Sequence, residues 1–162
     1  MTRAAALGLS AVAIADDNSV AGIVRAHTEA RNIKRLVKER QDWDAAHGLI
    51  GPVLPGDTPR RGFPITNAPR LIPAARICCT DAPPVTVLPR DRTAGGRLGR
   101  LISKGRLRAE KGTCDLTLDE LCAHAEGQAM LIWPERGWQE AARRLKPLVK
   151  SDLFLLLAPR YD

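Results

Sequence analysis

Basic side chains are concentrated on one predicted helix in the middle of the chain. Eight basic residues but only two acidic ones lie between positions 90 and 111, so this stretch carries +6 of the chain's formal net charge of +7. On a wheel of about 100° per residue, four of them share an arc of roughly 80°: Arg97, Arg100, Lys104 and Arg108. Such a face suits contacts with nucleic-acid phosphates. It equally suits a solvated helix face that keeps the chain soluble, so both interpretations remain open.

Two neighbouring carboxylates, Asp16 and Asp17, follow the first predicted strand. The carboxyl end of a strand in an α/β fold is a common place for metal ligands and active sites. Two carboxylates could bind a divalent cation there. Asp is also a favoured residue at the start of a helix, so helix capping without metal is the competing interpretation.

The histidines and cysteines show no spacing typical of a metal or catalytic site. His27, His47 and His124 form no H-x-H or H-E-x-x-H motif. The four cysteines are Cys78, Cys79, Cys114 and Cys122, and they include no C-x-x-C pair. This spacing predicts reduced thiols in a cytoplasmic protein.

The chain is predicted to start with a short helix at Thr2–Leu7. A short apolar strand follows at Leu7–Ala15 and leads to Asp16 and Asp17. Residues 16–19, Asp-Asp-Asn-Ser, are typical of a helix start. Apolar residues then recur at helical spacing, so residues 19–47 are predicted to form one long helix, or two with a break near Asn32. Gly48 is a suitable C-terminal stop.

The second half of the chain alternates strand and helix patterns. Asp91 is expected to cap the basic helix, and Thr117 begins a T-x-x-E capping box for the next one. The predicted strands are Arg70–Thr80, Val85–Leu88, Gln128–Trp133 and Leu153–Leu157, and the first two are joined as a hairpin. The predicted helices are Thr93–Arg108, one from Thr117 to Gly127 and one from Trp138 to Leu148.

This alternation predicts an α/β fold with a largely parallel sheet. Residues 49–69 are rich in Pro and Gly without periodicity and predict a surface insertion. We therefore expect one domain, in which residues 1–48 form a first strand–helix part, 49–69 the insertion and 70–162 the remainder. No run approaches the ~20 apolar residues of a membrane helix. The apolar start could be a secretory signal, but a buried strand explains it better.

Four blocks of this sequence together resemble one family. The blocks are LGLSAVAIADDNSVAGIVRAH (Leu7–His27), RLIPAARICCTDAPPVTVLPRDR (Arg70–Arg92), GRLGRLISKGRLRAEKGTCDLTLDELCAHAEG (Gly96–Gly127) and LFLLLAPRYD (Leu153–Asp162). They are similar to the polymerase and histidinol phosphatase (PHP) domain that opens bacterial C-family DNA polymerases, the DNA polymerase III alpha-subunit type, and in particular the error-prone members. The likeness covers nearly the whole chain except the Pro-rich insertion.

The resemblance implies a partial, distorted (β/α) barrel of PHP type. Metal-binding relatives carry Asp-His-Asp/Asn in the first block, and Asp17 stands here at the His position. The relatives' H-x-H pair would precede Met1, and their later ligands would follow Asp162. We therefore expect no catalytic residue and no bound metal in this chain, with Asp16 and Asp17 as vestigial candidates.

The resemblance further implies a structural, N-terminal part of an error-prone DNA-directed DNA polymerase that serves damage-induced mutagenesis and translesion synthesis. The family's catalytic palm would lie far downstream, so this chain is expected to be truncated at both ends and inactive alone. Mg²⁺ is expected as the cofactor of the full-length polymerase family. The implied partners are DNA, the rest of the polymerase chain and, through the full-length protein, a sliding clamp and mutagenesis accessory proteins, with no membrane.

Two other interpretations stay open at this point. One is a metal-dependent phosphoesterase of the PHP superfamily that uses Asp16, Asp17 and a histidine. The other is a free-standing basic module that binds nucleic acid through the helix at Thr93–Arg108. The missing strands of an incomplete barrel also predict marginal stability or self-association.

Overall fold

The computed structural model describes residues 1–47 and 67–157. Within these ranges the chain alternates helices and strands, with one short 3-10 turn at Lys150–Asp152. In chain order the elements are α1 (Thr2–Ala6), β1 (Ala11–Asp17), α2 (Ala21–His47), β2 (Arg70–Ile77), β3 (Val85–Pro89), α3 (Arg92–Arg108), α4 (Leu118–Ala123), β4 (Gln128–Ile132), α5 (Trp138–Val149) and β5 (Leu153–Leu155).

The five described strands form one open, mixed sheet in the order β1-β2-β3-β4-β5. β2 and β3 are antiparallel, with Ala75 opposite Val87. β3 and β4 are also antiparallel, with Val87 opposite Met130, whereas β4 and β5 are parallel. The prediction of an α/β protein is confirmed, and a barrel of PHP type stays a prediction.

The prediction of a largely parallel sheet is wrong. The turn between β2 and β3 is far shorter than the dozen or so residues of a parallel crossover, so these two strands must form a hairpin. The connection from β3 to β4 contains α3 and α4, but a helical connection permits a parallel strand without requiring one. Helix α5, between β4 and β5, joins two strands of the expected parallel kind.

The first of two compact units comprises Met1–Ile14 and Ala21–Ile72. Its long helix, α2, is continuous, so the predicted break near Asn32 does not occur. Ala26, Ala30, Ile33 and Val37 recur at three- and four-residue spacing and are buried. Ile33 and Val37 pack with Ala5 of α1 in a small core.

The second compact unit comprises Ala15–Val20 and Pro73–Asp162 and contains the larger core. Strands β3 and β4 bury alternate residues, as their period of two requires. Helix α3 packs on β3, while α5 packs on β4 and β5. The largest buried side chains of this core include Ile77, Leu101, Leu116, Leu121, Met130, Ile132 and Leu145.

Both predicted helix caps in this unit are confirmed. The Asp91 side chain accepts a hydrogen bond from the Ala94 amide at 2.7 Å and caps α3. Thr117 and Glu120 form the reciprocal capping box of α4. Helix α4 ends at Ala123, earlier than predicted, and Gly127 follows it in the left-handed region with φ +75°.

The boundaries near the start of the chain differ from the predicted ones. The helix predicted at Thr2–Leu7 is present as α1, but the strand predicted at Leu7–Ala15 begins only at Ala11. Gly8 adopts φ +70° in the turn after α1, so the strand cannot extend back through it. Asp16 and Asp17 consequently lie inside β1 rather than at a helix start, and α2 begins at Ala21.

The remaining predictions concern segment ends. β2 and β5 end earlier than predicted, at Ile77 and Leu155. The stop at Gly48 and the insertion at 49–69 lie outside the described residues, except for positions 67–69, which belong to no helix or strand. The domain boundaries at these positions stay predictions.

Candidate functional site

The side chain of Asp17, at the carboxyl end of β1, is held by Arg76 of β2. The Arg76 Nη2 donates to Asp17 Oδ2 at 2.6 Å, and the Nε donates to Oδ1, so the guanidinium engages both carboxylate oxygens. This hydrogen bonding lowers the pKa of the Asp17 carboxyl despite an opposing effect of desolvation. Bidentate pairing of this kind matches the planar fork of arginine to a carboxylate.

The aromatic ring of Trp133 completes this arrangement. The Arg76 guanidinium carbon lies 5.2 Å from the ring centroid, which is within the range of a cation–π contact. The indole Nε1 donates to Thr86 Oγ1 at 3.1 Å and fixes the ring. We define Asp17, Arg76 and Trp133 as the β1-end cluster.

Asn18 binds the backbone that directly follows the neighbouring strand β2. It adopts φ +44°, a conformation that Asn tolerates better than most residues. Its Oδ1 accepts from the Cys78 amide at 2.9 Å, and its Nδ2 donates to the Cys78 carbonyl at 3.4 Å. The Asn18 carbonyl also accepts from Arg106 Nε at 3.1 Å, which links this turn to α3.

The residues at the end of β1 do not fit a metal site. Arg76 engages both Asp17 oxygens, and its positive charge opposes the approach of a cation. Asp16 forms an isolated bridge with Ser19 across the turn. Across residues 1–47 and 67–157, no group of three His, Cys, Asp or Glu side chains is placed to hold a metal ion. The predicted capping role of Asp17 is wrong, because its carboxylate binds Arg76 instead.

The histidines are occupied by local contacts or exposed on their own helices. His27 is exposed on α2. The His47 ring stacks on Trp43 with centroids 4.2 Å apart. His124 Nδ1 lies 2.8 Å from the Glu120 carbonyl oxygen.

The four cysteines form no disulfide. Burial raises the pKa of each thiol, and that of Cys79 reaches about 12. Because the thiolate is the nucleophilic form, these environments do not suit cysteine catalysis.

Acidic side chains brace the basic face of α3. Arg97 pairs with Glu126, and Lys104 Nζ lies 2.9 Å from Glu120 Oε1. Arg108 pairs with both Asp115 and Glu120, at 3.0 and 2.9 Å. These three predicted phosphate contacts therefore already hold carboxylates. The role of the four residues in DNA binding stays a prediction.

Arg100 differs from its three neighbours on this face. It is exposed, and no carboxylate pairs with it in the described ranges. The positive charge that a bound anion would meet on α3 is thus smaller than the sequence indicates.

The bracing carboxylates were missed because the charge count ended at Lys111. Asp115, Glu120 and Glu126 follow within fifteen residues of that position. Glu120 stands at a helix start, where a carboxylate is favoured for capping alone. Arg76 was missed because a single arginine in a strand carries no motif, although it lies on the strand that neighbours β1.

Fold and site together define a mixed α/β protein with an open sheet, a carboxylate–guanidinium pair at the end of β1 and a braced basic helix. Curated relatives named error-prone DNA polymerase match it along its length. The relative from Ruegeria pomeroyi is 36% identical over 176 residues, which cover 100% of this chain and 15% of the relative. The relative from Rhodopseudomonas palustris (strain BisB5) is 34% identical over 165 residues, covering 98% and 12%.

A third relative with the same name comes from Bradyrhizobium diazoefficiens and is 36% identical over 155 residues, covering 91% of this chain and 11% of the relative. The chain therefore spans 11–15% of the length of these three relatives and is homologous to one segment of each. No protein-family model matches the chain. No helix in the described ranges is long and apolar enough to cross a membrane.

Proposed function

We propose that this chain is a PHP-like portion of an error-prone DNA-directed DNA polymerase and has a structural role there. The observation that carries this proposal is the similarity to one segment of polymerases with that name, which extends over the whole chain. In this role the chain packs against the rest of the polymerase, which performs templated synthesis with Mg²⁺ across damaged DNA. A sliding clamp and accessory proteins are partners of that larger assembly.

The β1-end cluster supports a structural role over a catalytic one. Asp17, like Asp16, falls in the block that the family resemblance places among metal ligands, and Arg76 supplies the positive charge that neutralises Asp17. The pair between Arg76 of β2 and Asp17 of β1 joins the ends of the two strands without a metal ion. The cluster therefore favours a structural part of the polymerase over the phosphoesterase alternative.

The proposal includes a minor DNA contact on α3. Arg100 is the member of this face best placed to reach a phosphate, because it is exposed and has no carboxylate partner in the described ranges. Arg97, Lys104 and Arg108 would have to leave Glu126, Glu120 and Asp115 in order to bind DNA directly.

A chimeric polymerase tests the structural role. The aligned segment of the Ruegeria pomeroyi relative is replaced by residues 1–162 of this chain, and primer extension is measured. We expect activity within about tenfold of the parent, a difference of about 1.4 kcal/mol in activation free energy. In the same chimera, Asp16→Ala and Asp17→Ala should leave the extension rate unchanged, because neither residue touches reacting atoms.

Arg76→Ala is the matched control for Asp17→Ala, because both remove the same ion pair, and each should change thermal stability only slightly since that pair is partly exposed. A large loss of extension in Asp17→Ala alone, at unchanged stability, would contradict the structural role. Stoichiometric zinc or manganese in the purified chain, together with phosphatase activity, would instead support the phosphoesterase.

A further inference from the structure

The outward face of α2 carries a run of basic residues with no acidic residue among them. Positions 31–38 read Arg-Asn-Ile-Lys-Arg-Leu-Val-Lys, in which only Ile33, Leu36 and Val37 are apolar. Ile33 and Val37 are buried, so they fix which side of the helix faces the core. All four basic residues are exposed: Arg31, Lys34, Arg35 and Lys38. We call these four residues the α2 basic face.

The geometry of the helix places these charges close together. At about 100° and 1.5 Å per residue, the four side chains lie within an arc of roughly 100° and along about 10 Å of the helix axis. The centre of this arc lies about 120° around the helix from the buried stripe that contains Ile33 and Val37. Two turns of helix therefore present a compact, solvent-facing group of cations.

Most of these cations are available to an external anion. Arg35 pairs with Glu39 at 2.8 Å, and both side chains are largely exposed. Arg31, Lys34 and Lys38 form no ion pair within the described ranges. On α3, by contrast, three of the four predicted phosphate contacts hold carboxylates. The structure thus favours α2 over α3 as a surface for phosphate groups.

A cleft opens beside Lys34 in the same compact unit. It has a volume of about 1020 Å³, and its lining includes Lys34, Arg70, Ser10 and Asn67. Leu7 and Leu9 also line it and are 56% and 48% exposed. Lys34 and Arg70 can contact a phosphate at this wall, and Leu7 and Leu9 offer apolar contact to the neighbouring base.

We propose that the α2 basic face and this cleft bind single-stranded DNA. Phosphates contact Arg31, Lys34 and Lys38, while a base enters the cleft against Leu7 and Leu9. The choice of DNA over another polyanion rests on the proposed polymerase function. The site itself rests on the placement of the residues.

The test is DNA binding by the 162-residue chain and by the triple variant Arg31→Glu, Lys34→Glu, Lys38→Glu. Fluorescence anisotropy with a labelled oligothymidylate is measured at several salt concentrations. We expect the variant to bind at least about tenfold more weakly at 0.1 M salt. The slope of log K against log[salt] should fall by about 2, since each lost single-strand phosphate contact removes about 0.7.

A charge-matched control uses exposed residues on and beside α5. The triple variant Arg136→Glu, Arg143→Glu, Lys146→Glu changes the net charge by the same amount, so it isolates position from total charge. It should retain most of the affinity and the salt slope. Circular dichroism melting of both variants checks that they fold, which is expected because every substituted side chain is exposed.

Two further measurements define the ligand. Leu9→Ser, which adds no charge, should weaken single-stranded DNA binding but leave binding to duplex DNA of the same length unchanged, because a stacked base cannot enter the cleft. Equal losses in both triple variants would overturn the proposal in favour of net charge alone. Binding to phosphatidylserine vesicles without binding to the oligonucleotide would also overturn it. The chimera reports on the polymerase role separately, since its extension activity does not require this site.

Discussion

At the scale of single residues, neighbours rather than residue types decide what a carboxylate does. Asp17 has the chemistry of a metal ligand, but Arg76 takes both of its oxygens and Trp133 stacks under the guanidinium. A pair that is partly exposed to solvent contributes little to stability by itself. Its consequence is chemical, because the guanidinium occupies one of the two carboxylates, Asp16 and Asp17, that the family resemblance gives as vestigial metal candidates.

A single glycine controls the packing of α3. A Cβ added to Gly105 would lie 2.6 Å from Leu116 Cγ and 2.8 Å from Cys114 Sγ, within a buried part of the core. Overpacking of this kind costs about 1–3 kcal/mol, and the better helix propensity of Ala returns up to about 1 kcal/mol. We expect Gly105→Ala to lower the free energy of unfolding by about 1–2 kcal/mol, measured by urea denaturation.

Gly99 of the same helix provides the control, because nothing lies within 4 Å of an added Cβ there. Gly99→Ala should be neutral or stabilising by up to about 1 kcal/mol. If both variants were equally stable, the close contact between Gly105 and Leu116 would be refuted.

At the scale of elements, Glu120 joins two helices. It stands in the first turn of α4, forms the capping box with Thr117 and accepts hydrogen bonds from Arg108 of α3. Lys104 adds a second cation from α3. One side chain, which is 13% exposed, therefore couples the start of α4 to the last turns of α3.

The same contacts predict how stability depends on pH. The hydrogen bonds from Arg108 and then Lys104 lower the pKa of the Glu120 carboxyl from its ordinary value of 4.5 to about 2. Glu120 therefore contributes stability that is fully present above about pH 4.5 and is lost as the pH falls towards 2. We expect Glu120→Gln to lower the melting temperature by several degrees at pH 7, with a difference from wild type that shrinks below pH 4.5.

Thermal melts from pH 7 to pH 2 measure this difference. Glu110→Gln serves as the control, since Glu110 is exposed and its side chain forms no ion pair in the described ranges. A difference between wild type and Glu120→Gln that stayed constant over the whole range would show that the Glu120 charge is not coupled to folding.

At the scale of the whole molecule, the sheet ends in an apolar edge strand. β5 is the last strand in the sheet order and pairs with β4 alone among the described strands. Phe154 is 53% exposed, Leu155 40% and Leu157 75%. Exposed apolar edge strands invite pairing with another strand, and groups of large exposed apolar side chains mark contact surfaces.

We therefore expect the isolated chain to self-associate through this edge. Sedimentation velocity should show an average mass that rises with protein concentration. Phe154→Lys with Leu157→Lys should reduce the association, because charged side chains protect a sheet edge. Leu107→Lys is the control, since Leu107 is 88% exposed but lies on α3. A mass that stays monomeric at all concentrations would contradict the expectation.

The sequence by itself determined the local elements. Helical periodicity predicted α2 and α3, the Asp91 cap and the Thr117 capping box predicted two helix starts, and apolar runs predicted β2, β3 and β4. These features depend on residues within a few positions of one another, so local chemistry is sufficient to specify them. The resemblance to error-prone polymerases likewise follows from the order of sequence blocks and agrees with the homologues.

Only the tertiary structure decided strand direction and the partners of the charged residues. The direction of β4 relative to β3 depends on how α3 and α4 pack, not on any residue pattern within the strands. Asp17 and Arg76 are separated by 59 positions, and Arg97 and Glu126 by 29, yet each pair is in contact. The number of basic residues in the sequence therefore indicated α3 as the phosphate-binding helix. The ion pairs of the structure occupy most of those residues, and more cations on α2 have no carboxylate partner in the described ranges.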